Sequence, residues 1–315
     1  MILLSQDEVR ELLDLDALVD ALAAAHRDLS EGKASMPPRI AAFAERNGLL
    51  GAMPAYLPSA GLACKLVTLF PENRDRHTHQ ALICIFDSTN GTPVALMDGT
   101  HITATRTAAG SALATRLLAR VDVRVLAILG AGVQARTHAD ALRRVRRFAE
   151  IRVASRTPER ATELAEEIGG VAVGSWEEAV RGADVVAATT HAAEPIVRRE
   201  WLQPGVHVNS VGANPEGSGE VDAAIVRDAL VAVEFRDSTL APPPAGAAEF
   251  RDAAPADVVE LGELVAGTRS GRTSPEQITL YKSVGVAVQD AAAAALVLAG
   301  ARERSVGREI ELEER

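Results

Sequence analysis

The sequence predicts an α/β protein of two domains, one of which is built on a doubly wound parallel sheet. Its 315 residues, 47% of them hydrophobic, are enough for two cores rather than one. From Val123 onward, strand-like and helix-like segments alternate, as is typical of parallel sheets with right-handed helical crossovers. A glycine-rich loop opens this half, about 120 residues into the chain, which leaves room for a separate domain before it.

The glycine-rich loop has the pattern of a dinucleotide-binding site. Residues 125–135, VLAILGAGVQA, predict a buried strand, a turn and a helix. Gly130 allows the tight turn, Gly132 lets the backbone approach phosphates, and Ala135 lets the helix pack closely on the strand. This half is therefore predicted to be Rossmann-type, with a pyrophosphate at the helix N-terminus.

The elements before the loop predict a helix and one antiparallel or mixed sheet. Ser5 and Glu8 form a capping box for a helix that continues to about Leu29, and Gly32 ends it. Short β-rich segments separated by turn residues follow at 40–43, 49–53, 63–70, 81–86 and 93–98. Residues 103–120 then predict a helix that leads into the second domain.

The second half predicts strands at 125–129, 151–154, 185–189, 206–211 and 231–235, with helices at 135–148, 158–168 and 175–180 between them. Residues 240–246, with three consecutive prolines, predict a loop within the same domain. The alanine-rich segment 285–302 predicts a long helix that returns to the first domain. The expected domains are therefore residues 1–120 joined by 285–315, and residues 121–284.

Composition and charge exclude several classes of partner. A net charge of −10 with 3% aromatic residues lacks the basic surface and the stacking platform of a nucleic-acid binder. No apolar stretch reaches the roughly 18 residues of a membrane span, and the N-terminus lacks the basic start of a signal peptide. We expect a cytoplasmic protein that acts on a small molecule, with Cys64 and Cys84 as reduced core residues.

Lysine is rare enough in this chain for each one to be informative. The 33 basic residues include only Lys33, Lys65 and Lys282. Lys33 follows the first predicted helix and is expected on the surface. Lys65 interrupts the apolar segment 61–70, so we expect it to need a partner anion or a ligand.

The residues after the second predicted strand indicate the cofactor. An acidic residue there binds the ribose 2′-hydroxyl of NAD, whereas an arginine accommodates the 2′-phosphate of NADP. This chain has Ser155, Arg156 and Thr157 at that place. NADP(H) is therefore preferred and NAD(H) remains possible, the alternative being a solvated arginine in a turn.

Several motifs resemble those of the ornithine cyclodeaminase and mu-crystallin family, which also includes archaeal alanine dehydrogenases and cyclic imino acid reductases. They follow the family's order over nearly the whole chain. The matching segments are 36–39 (MPPR), 53–57 (MPAYL), 65–73, 86–87 with 90–91, 96–100 (LMDGT), 103–109 (TATRTAA), 130–135 (GAGVQA), 219–222 (GEVD) and 279–285 (TLYKSVG).

The resemblance implies a role for individual residues. Arg39, Lys65 and Arg106 would hold a substrate carboxylate, with Thr78 nearby, while Lys65 and Asp222 would serve in acid–base chemistry. The alternatives are surface or helix salt bridges for the two arginines and a helix N-cap for Asp222. The implied cofactor-binding residues are Thr107, Gly130, Gly132, Val133, Gln134, Ser155, Arg156, Thr157, Thr190, Val211, Gly212 and Ser283.

Two further residue groups are left without an assigned role. Lys282 could close over the nicotinamide or pair with an acid. His77 and His79 raise the question of a metal, but no third ligand is apparent, so no metal site is expected.

The resemblance also narrows the reaction. Ornithine-specific relatives place a glutamate two residues before the Met-Pro motif, where this chain has Gly51. We therefore expect hydride transfer between NAD(P)H and the α-carbon of a small amino or imino acid, such as pyrroline-2-carboxylate. The alternatives are NAD-dependent cyclodeamination and non-catalytic, crystallin-like binding. A homodimer joined through the first domain is expected as well.

Overall fold

The computed structural model describes residues 1–45, 47–212, 219–242, 246–250 and 253–311. They form two compact units, Met1–Arg106 with Val286–Arg315, and Thr107–Gly285. The boundary thus falls 14 residues before the expected position of 120. The reason is that side chains beyond Arg106 bond within the second unit, as Thr115 does with Asn209.

The secondary structure elements are numbered in chain order. The strands are β1 (Ile2–Leu4), β2 (Ile40–Phe43), β3 (Leu49–Leu57), β4 (Gly61–Leu69), β5 (His79–Phe86), β6 (Pro93–Asp98), β7 (Val125–Leu129), β8 (Glu150–Ala154), β9 (Val171–Ala172), β10 (Val185–Ala188), β11 (His207–Ser210), β12 (Leu230–Val233), β13 (Val258–Glu260), β14 (Thr279–Lys282) and β15 (Arg308–Glu309). The α-helices are α1 (Gln6–Leu12), α2 (Leu15–Ser30), α3 (Thr100–Leu118), α4 (Val133–Val145), α5 (Pro158–Ile168), α6 (Trp176–Val180), α7 (Ala223–Asp228), α8 (Arg236–Thr239), α9 (Leu261–Ala266) and α10 (Ala287–Arg304).

The first unit is a mixed sheet covered on one face by helices. Its strands follow the order β15-β1-β6-β5-β4-β3-β2, in which β1 and β6 are parallel and the other pairs antiparallel. Helix α10 packs on β3, β4 and β5 and against α2. The side chains beneath it, Met53 and Ile83 among them, are buried and apolar. This face therefore forms the core of the unit.

The single N-terminal helix expected from the sequence is two helices. Ser5 caps α1 through the predicted capping box with Glu8, but the helix ends at Leu12. Asp14 then caps α2, its side chain accepting a hydrogen bond from the amide of Ala17. An aspartate at an N-cap competes with helix continuation, which the apolar periodicity alone does not reveal.

The opposite face of the first sheet is apolar and exposed. Leu62, Leu66 and Leu82 on β4 and β5 are 36–49% exposed. Cys64 and Cys84 lie on the same face, directly opposite each other, as half-buried free thiols. The expectation that they are core residues is wrong, because alternation along each strand turns them away from α10.

The second unit is a doubly wound α/β domain, as predicted. Its sheet has the order β13-β12-β14-β11-β10-β7-β8-β9, and every pair is parallel. Alternate residues of β7 belong to separate cores, with Leu126 and Ile128 in one and Ala127 and Leu129 in the other. The chain runs from β7 outward to β8 and β9, then returns to β10 on the other side. This reversal between β7 and β10 is the usual place for a ligand crevice.

Among the described residues, none of the helices combines the length and apolar character that a membrane crossing requires.

A buried histidine fixes the start of α4 against α3. His138 Nδ1 lies 2.7 Å from the carbonyl oxygen of Gln134, and Nε2 lies 2.9 Å from Ser111 Oγ. Burial lowers the pKa of His138 to about 4, although its hydrogen bond to Gln134 opposes that shift. The imidazole is therefore neutral in the folded protein at pH 7.

We expect His138 to make the protein sensitive to mild acid. Its pKa is about 6.5 when unfolded and about 4 when folded, so the unfolded chain binds the extra proton first. Stability is then lost as pH falls from 6.5 to 4, by up to about 3 kcal/mol. The free energy of unfolding, measured by urea unfolding across this pH range, should change less with pH in H138Q than in wild type. H77Q, at an exposed histidine, is the control, and equal slopes in all three proteins would contradict the assignment.

Candidate functional site

A buried aspartate joins two buried cations in the first unit. Asp290 Oδ2 on α10 lies 2.7 Å from Lys65 Nζ on β4, and Asp290 Oδ1 lies 3.1 Å from Arg106 Nε on α3. The three residues are 1%, 3% and 5% exposed. Lys65 thus has the partner anion that its sequence context predicts. We call these three residues the carboxylate cluster.

The fold places the cluster by strand register and by the first turn of α10. On the neighbouring strands, Met53 and Ile83 stand opposite Lys65, so its flanks are apolar. Gln289 precedes Asp290, and its Oε1 accepts a hydrogen bond from Arg106 Nη1 at 3.1 Å. Gln289 Nε2 lies 3.0 Å from His26 Nε2 on α2. Buried polar groups are thereby paired with one another, as burial demands.

The charges in the cluster are unequal. Burial alone would raise the pKa of Asp290, but Lys65 and Arg106 outweigh burial and hold it below its ordinary value. Burial is the main cause that lowers the pKa of Lys65, and together with the charges of Arg106 and Arg39 it outweighs the opposing effect of Asp290, so that this pKa is about 8. One anion therefore faces two cations, and the cluster carries a net positive charge at pH 7.

The other predicted substrate residues are exposed. Arg39 is on the surface, yet its charge reaches Lys65. Thr78 is exposed just before β5, its Oγ1 lying 3.4 Å from His79 Nδ1. In the part of the chain that is described, no three His, Cys, Asp or Glu side chains form a group that could hold a metal ion.

The glycine-rich loop of the second unit has the predicted strand, turn and helix. Gly130 has φ +114°, and a Cβ there would lie 2.9 Å from Thr189 Oγ1. Gly132 caps α4, and a Cβ there would meet nothing within 4 Å. Gly130 is thus required by the fold, whereas the space at Gly132 is open to a ligand.

The start of α4 has polar groups that lack partners within the described residues. It has no side-chain cap, so its first amide donors are not used by one. Val133 at its first position is 53% exposed. Gln134 Oε1 is buried without a hydrogen-bond partner among the described residues. The open space and the amide donors fit the diphosphate of a dinucleotide, whose oxygens accept hydrogen bonds.

The predicted ribose-binding residues follow β8, the neighbour of β7. Ser155 Oγ accepts a hydrogen bond from the amide of Thr157 at 3.2 Å, and Thr157 caps α5. Arg156 is exposed and has no ion pair within the described ranges. Its guanidinium is thus available for an external anion.

Two buried glutamates organise the carboxyl edge of this sheet. Glu220 accepts hydrogen bonds from Thr190 N and Oγ1 after β10, and from Ser210 Oγ and Gly212 N at the end of β11. Glu234, after β12, accepts from Ser283 Oγ at the end of β14 and from the two amides that follow it. The predicted cofactor residues Thr190, Gly212 and Ser283 are therefore held by carboxylates.

The remaining predicted cofactor residues are placed by the backbone. The amide of Val211 donates to the carbonyl oxygen of Ala188 at 3.1 Å, which joins β11 to β10. Thr107 is buried on α3, at the start of the second unit. Lys282 pairs with Glu249 at 2.6 Å and donates to the carbonyl oxygen of Gly212 at 2.7 Å. The alternative that Lys282 pairs with an acid is therefore the one observed.

Asp222 is a helix N-cap, the structural alternative that its sequence context left open. It caps α7, its Oδ1 accepting from the amide of Ile225 at 3.0 Å, while Oδ2 accepts from the amide of Arg199 at 2.8 Å. Both carboxylate oxygens are used by backbone donors. The acid–base role implied by the resemblance stays a prediction that this geometry does not support.

A model of the ornithine cyclodeaminase/mu-crystallin family matches residues 1–305. The chain belongs to this family. The ketimine reductase mu-crystallin of Mus musculus is 40% identical over 307 residues, which cover 93% of this chain and 95% of the relative. The family assigned from the sequence motifs is thereby confirmed.

Solved structures of the family share the fold. Thermococcus litoralis Delta(1)-pyrroline-2-carboxylate reductase, solved with NADH and L-proline, is similar with a TM-score of 0.92 at 35% identity, over 98% of this chain and 100% of that one. An archaeal alanine dehydrogenase dimer with bound NAD is similar with a TM-score of 0.91 at 33% identity, over 99% of each chain.

The sequence reasoning missed the residues that hold the others in place. Asp290 and Gln289 stand at the head of an alanine-rich helix, where an acid beside a run of alanines was the available signal. Glu220 was part of a recognised motif but had no assigned role. Glu220 can join the ends of β10 and β11 only because these strands are neighbours in the sheet, and local sequence patterns do not predict that pairing.

We expect Glu220 to be needed for stability. In E220Q an amide donor replaces one oxygen that accepts two hydrogen bonds, so a buried donor is left facing another donor. The free energy of unfolding should fall by about 1 to 3 kcal/mol. Urea unfolding measures it, with E163Q, at an exposed glutamate of α5, expected within about 0.5 kcal/mol of wild type. Equal stability of both variants would contradict this role.

Proposed function

We propose that the protein is an NAD(P)H-dependent imino acid reductase that transfers hydride to the α-carbon of a small imino acid, such as a cyclic ketimine. The observation that carries the proposal is the carboxylate cluster, in which two buried cations share one carboxylate. A second carboxylate, supplied by the substrate, would balance the remaining positive charge. The relatives that act on ketimines and pyrroline-2-carboxylate support it.

The cations of the cluster would bind and orient the substrate carboxylate. Arg106 keeps a planar guanidinium whose donors suit carboxylate geometry, and Gln289 and Asp290 fix its orientation. Arg39 adds a third positive charge within reach of Lys65. Fixing the carboxylate holds the imine carbon in one place, which is the main contribution of such a clamp to the rate.

The surroundings of Lys65 favour a neutral substrate side chain. Met53 and Ile83 flank it on the neighbouring strands, and Gly51 lies two residues from Met53 on the same buried face. Asp290 is already bound by two cations. The acid that a second ammonium would need is absent from the described residues facing Lys65, which favours reduction over ornithine cyclodeamination.

The glycine-rich loop would hold a nicotinamide dinucleotide. Gly132 and the first amides of α4 would bind its diphosphate, and Thr190, Gly212 and Ser283 stand at the carboxyl edge of the same sheet. When bound, the reduced nicotinamide supplies the hydride. Lys65 Nζ holds the proton that the imine nitrogen needs, because its pKa of about 8 leaves it protonated but able to release the proton near neutral pH.

We expect the substrate carboxylate to decide turnover. NADPH oxidation, followed by absorbance, should be faster with Δ1-pyrroline-2-carboxylate than with Δ1-pyrroline, which lacks the carboxylate. The loss of charge-assisted hydrogen bonds should lower kcat/KM by about 100-fold or more. Equal rates would contradict the role of the cluster. With ornithine and the oxidised cofactor, ammonia release without a net change in NAD(P)H would instead indicate a cyclodeaminase, and binding without turnover would indicate a crystallin-like protein.

We further propose that NADP(H) is the preferred cofactor. The exposed guanidinium of Arg156 follows β8, where the 2′-phosphate of NADP would lie, and no acid occupies residues 155–157. The relatives solved with NADH or NAD leave NAD(H) as the alternative.

Replacing Arg156 should test the cofactor preference. R156A should raise KM for NADPH about 10- to 100-fold and leave KM for NADH unchanged, because only the 2′-phosphate loses a charged partner. Steady-state kinetics with both cofactors measures this. R227A, at an exposed arginine of α7, should change neither value. A wild-type preference for NADH would contradict the proposal.

We also propose a homodimer formed through the outer face of the first sheet. Leu62, Leu66 and Leu82 present an apolar surface there, and a second copy of the same face is complementary to it. The archaeal alanine dehydrogenase that was solved as a dimer supports a dimeric state, while the choice of interface rests on the apolar face.

Charges on this face should separate the subunits. Leu66 and Leu82 stand opposite each other on β4 and β5, so L66E/L82E places two carboxylates at the centre of the surface. Light scattering should give twice 33.1 kDa for wild type and 33.1 kDa for the variant. V121E, at a residue 89% exposed in the second unit, should remain dimeric. A wild-type monomer would contradict the proposal.

A further inference from the structure

We propose that Asp290 is a positioning residue that acts through Lys65, holding its ammonium at the substrate carboxylate site and keeping it protonated. This inference rests on the proposed reductase function, but one of its two tests measures stability and needs no catalytic activity.

The geometry gives Asp290 one oxygen for each cation. Oδ2 lies 2.7 Å from Lys65 Nζ, and Oδ1 lies 3.1 Å from Arg106 Nε. At 1% exposed, Asp290 is beyond the reach of bulk water. Its carboxylate therefore sets the separation of the two cations before any substrate arrives, which is the preorganisation that a rigid clamp requires.

The first turn of α10 holds Arg106 at two points and Lys65 at one. Gln289 binds Arg106 Nη1 and contacts His26 of α2, while Asp290 binds Arg106 Nε and Lys65. Arg106 thus keeps a neutral partner if Asp290 is lost, whereas Lys65 loses its anion. The consequences of substituting Asp290 should therefore be found mainly at Lys65.

The charged groups around Lys65 divide into one anion and two cations. Asp290 faces it from α10, Arg106 from α3, and Arg39 from the segment before β2. The neighbours on β3 and β5, Met53 and Ile83, carry no charge. Burial and both arginines favour the neutral amine, and Asp290 favours the ammonium. Without this carboxylate, Lys65 would lose its proton at a lower pH.

The first readout is the pH dependence of imino acid reduction. In wild type, kcat/KM should fall as pH rises through about 8, where Lys65 loses its proton. In D290N this fall should move down by about 1 to 3 pH units, the effect of an opposite charge at this distance. K65R keeps the positive charge but cannot release the proton, so its kcat/KM should be well below that of wild type; its residual activity should lack the fall, and D290N should shift nothing in that background. D237N, at an exposed aspartate, is the control.

The second readout is the stability difference between wild type and K65M as a function of pH. The pKa of Lys65 is lower in the folded protein than in the unfolded chain, at about 8 against 10.5, so the unfolded chain binds its proton more tightly. The free energy of unfolding of wild type, relative to that of K65M, should therefore rise as pH increases from about 8 to 10.5. The same difference in free energy of unfolding, measured between D290N and D290N/K65M, should begin to rise at a lower pH than in the wild-type pair.

The outcomes separate the possible roles. A uniform loss of kcat/KM in D290N at every pH, with the onset of the stability rise unmoved, would overturn the proposal and leave Asp290 a structural residue. If D290N does not fold, D290E keeps the charge and should show the fall in kcat/KM at the wild-type pH. A displaced fall in D290E would overturn it. Failure of the reductase function would appear as inactive wild type, and the stability series then decides alone.

Discussion

The structure of the first unit depends on one buried carboxylate between two buried cations. Burying a charge is costly unless it is paired, so Asp290, Lys65 and Arg106 must enter the interior together. This requirement fixes where α10 lies over the sheet. The alanines after Asp290 are small and buried, which lets the helix approach the strands closely. Because two cations share one anion, the cluster keeps a net positive charge.

Buried carboxylates also organise the second unit, but they do so through neutral donors. Glu220 gathers amides and hydroxyls from the ends of β10 and β11, and Glu234 does the same at β14. These two glutamates serve to hold the sheet edge in shape. The attraction for an anion comes instead from the uncapped start of α4 beside Gly132. The first unit thus contains buried charged side chains, whereas the second presents backbone amides at the start of α4.

The sequence predicted what local patterns encode. The doubly wound sheet, the glycine turn at Gly130 and the need of Lys65 for an anion followed from alternation, glycine placement and polarity. The partner of Lys65 could not be predicted, because Asp290 is 225 positions further along the chain and meets it only through the packing of α10. Strand β14 was missed for a similar reason, since it inserts between β11 and β12 from far along the chain. Asp222 was assigned to chemistry by resemblance, whereas its contacts are those of a helix cap.

The most direct test of the central claim is a crystal structure of the protein with L-proline and the oxidised cofactor. We expect the carboxylate of proline to lie within hydrogen-bond distance, about 3.2 Å or less, of both Lys65 Nζ and the Arg106 guanidinium, with Asp290 still bound to Lys65. A proline carboxylate bound elsewhere, with the three side chains of the cluster unchanged and untouched, would contradict the claim that this charge imbalance is the substrate site.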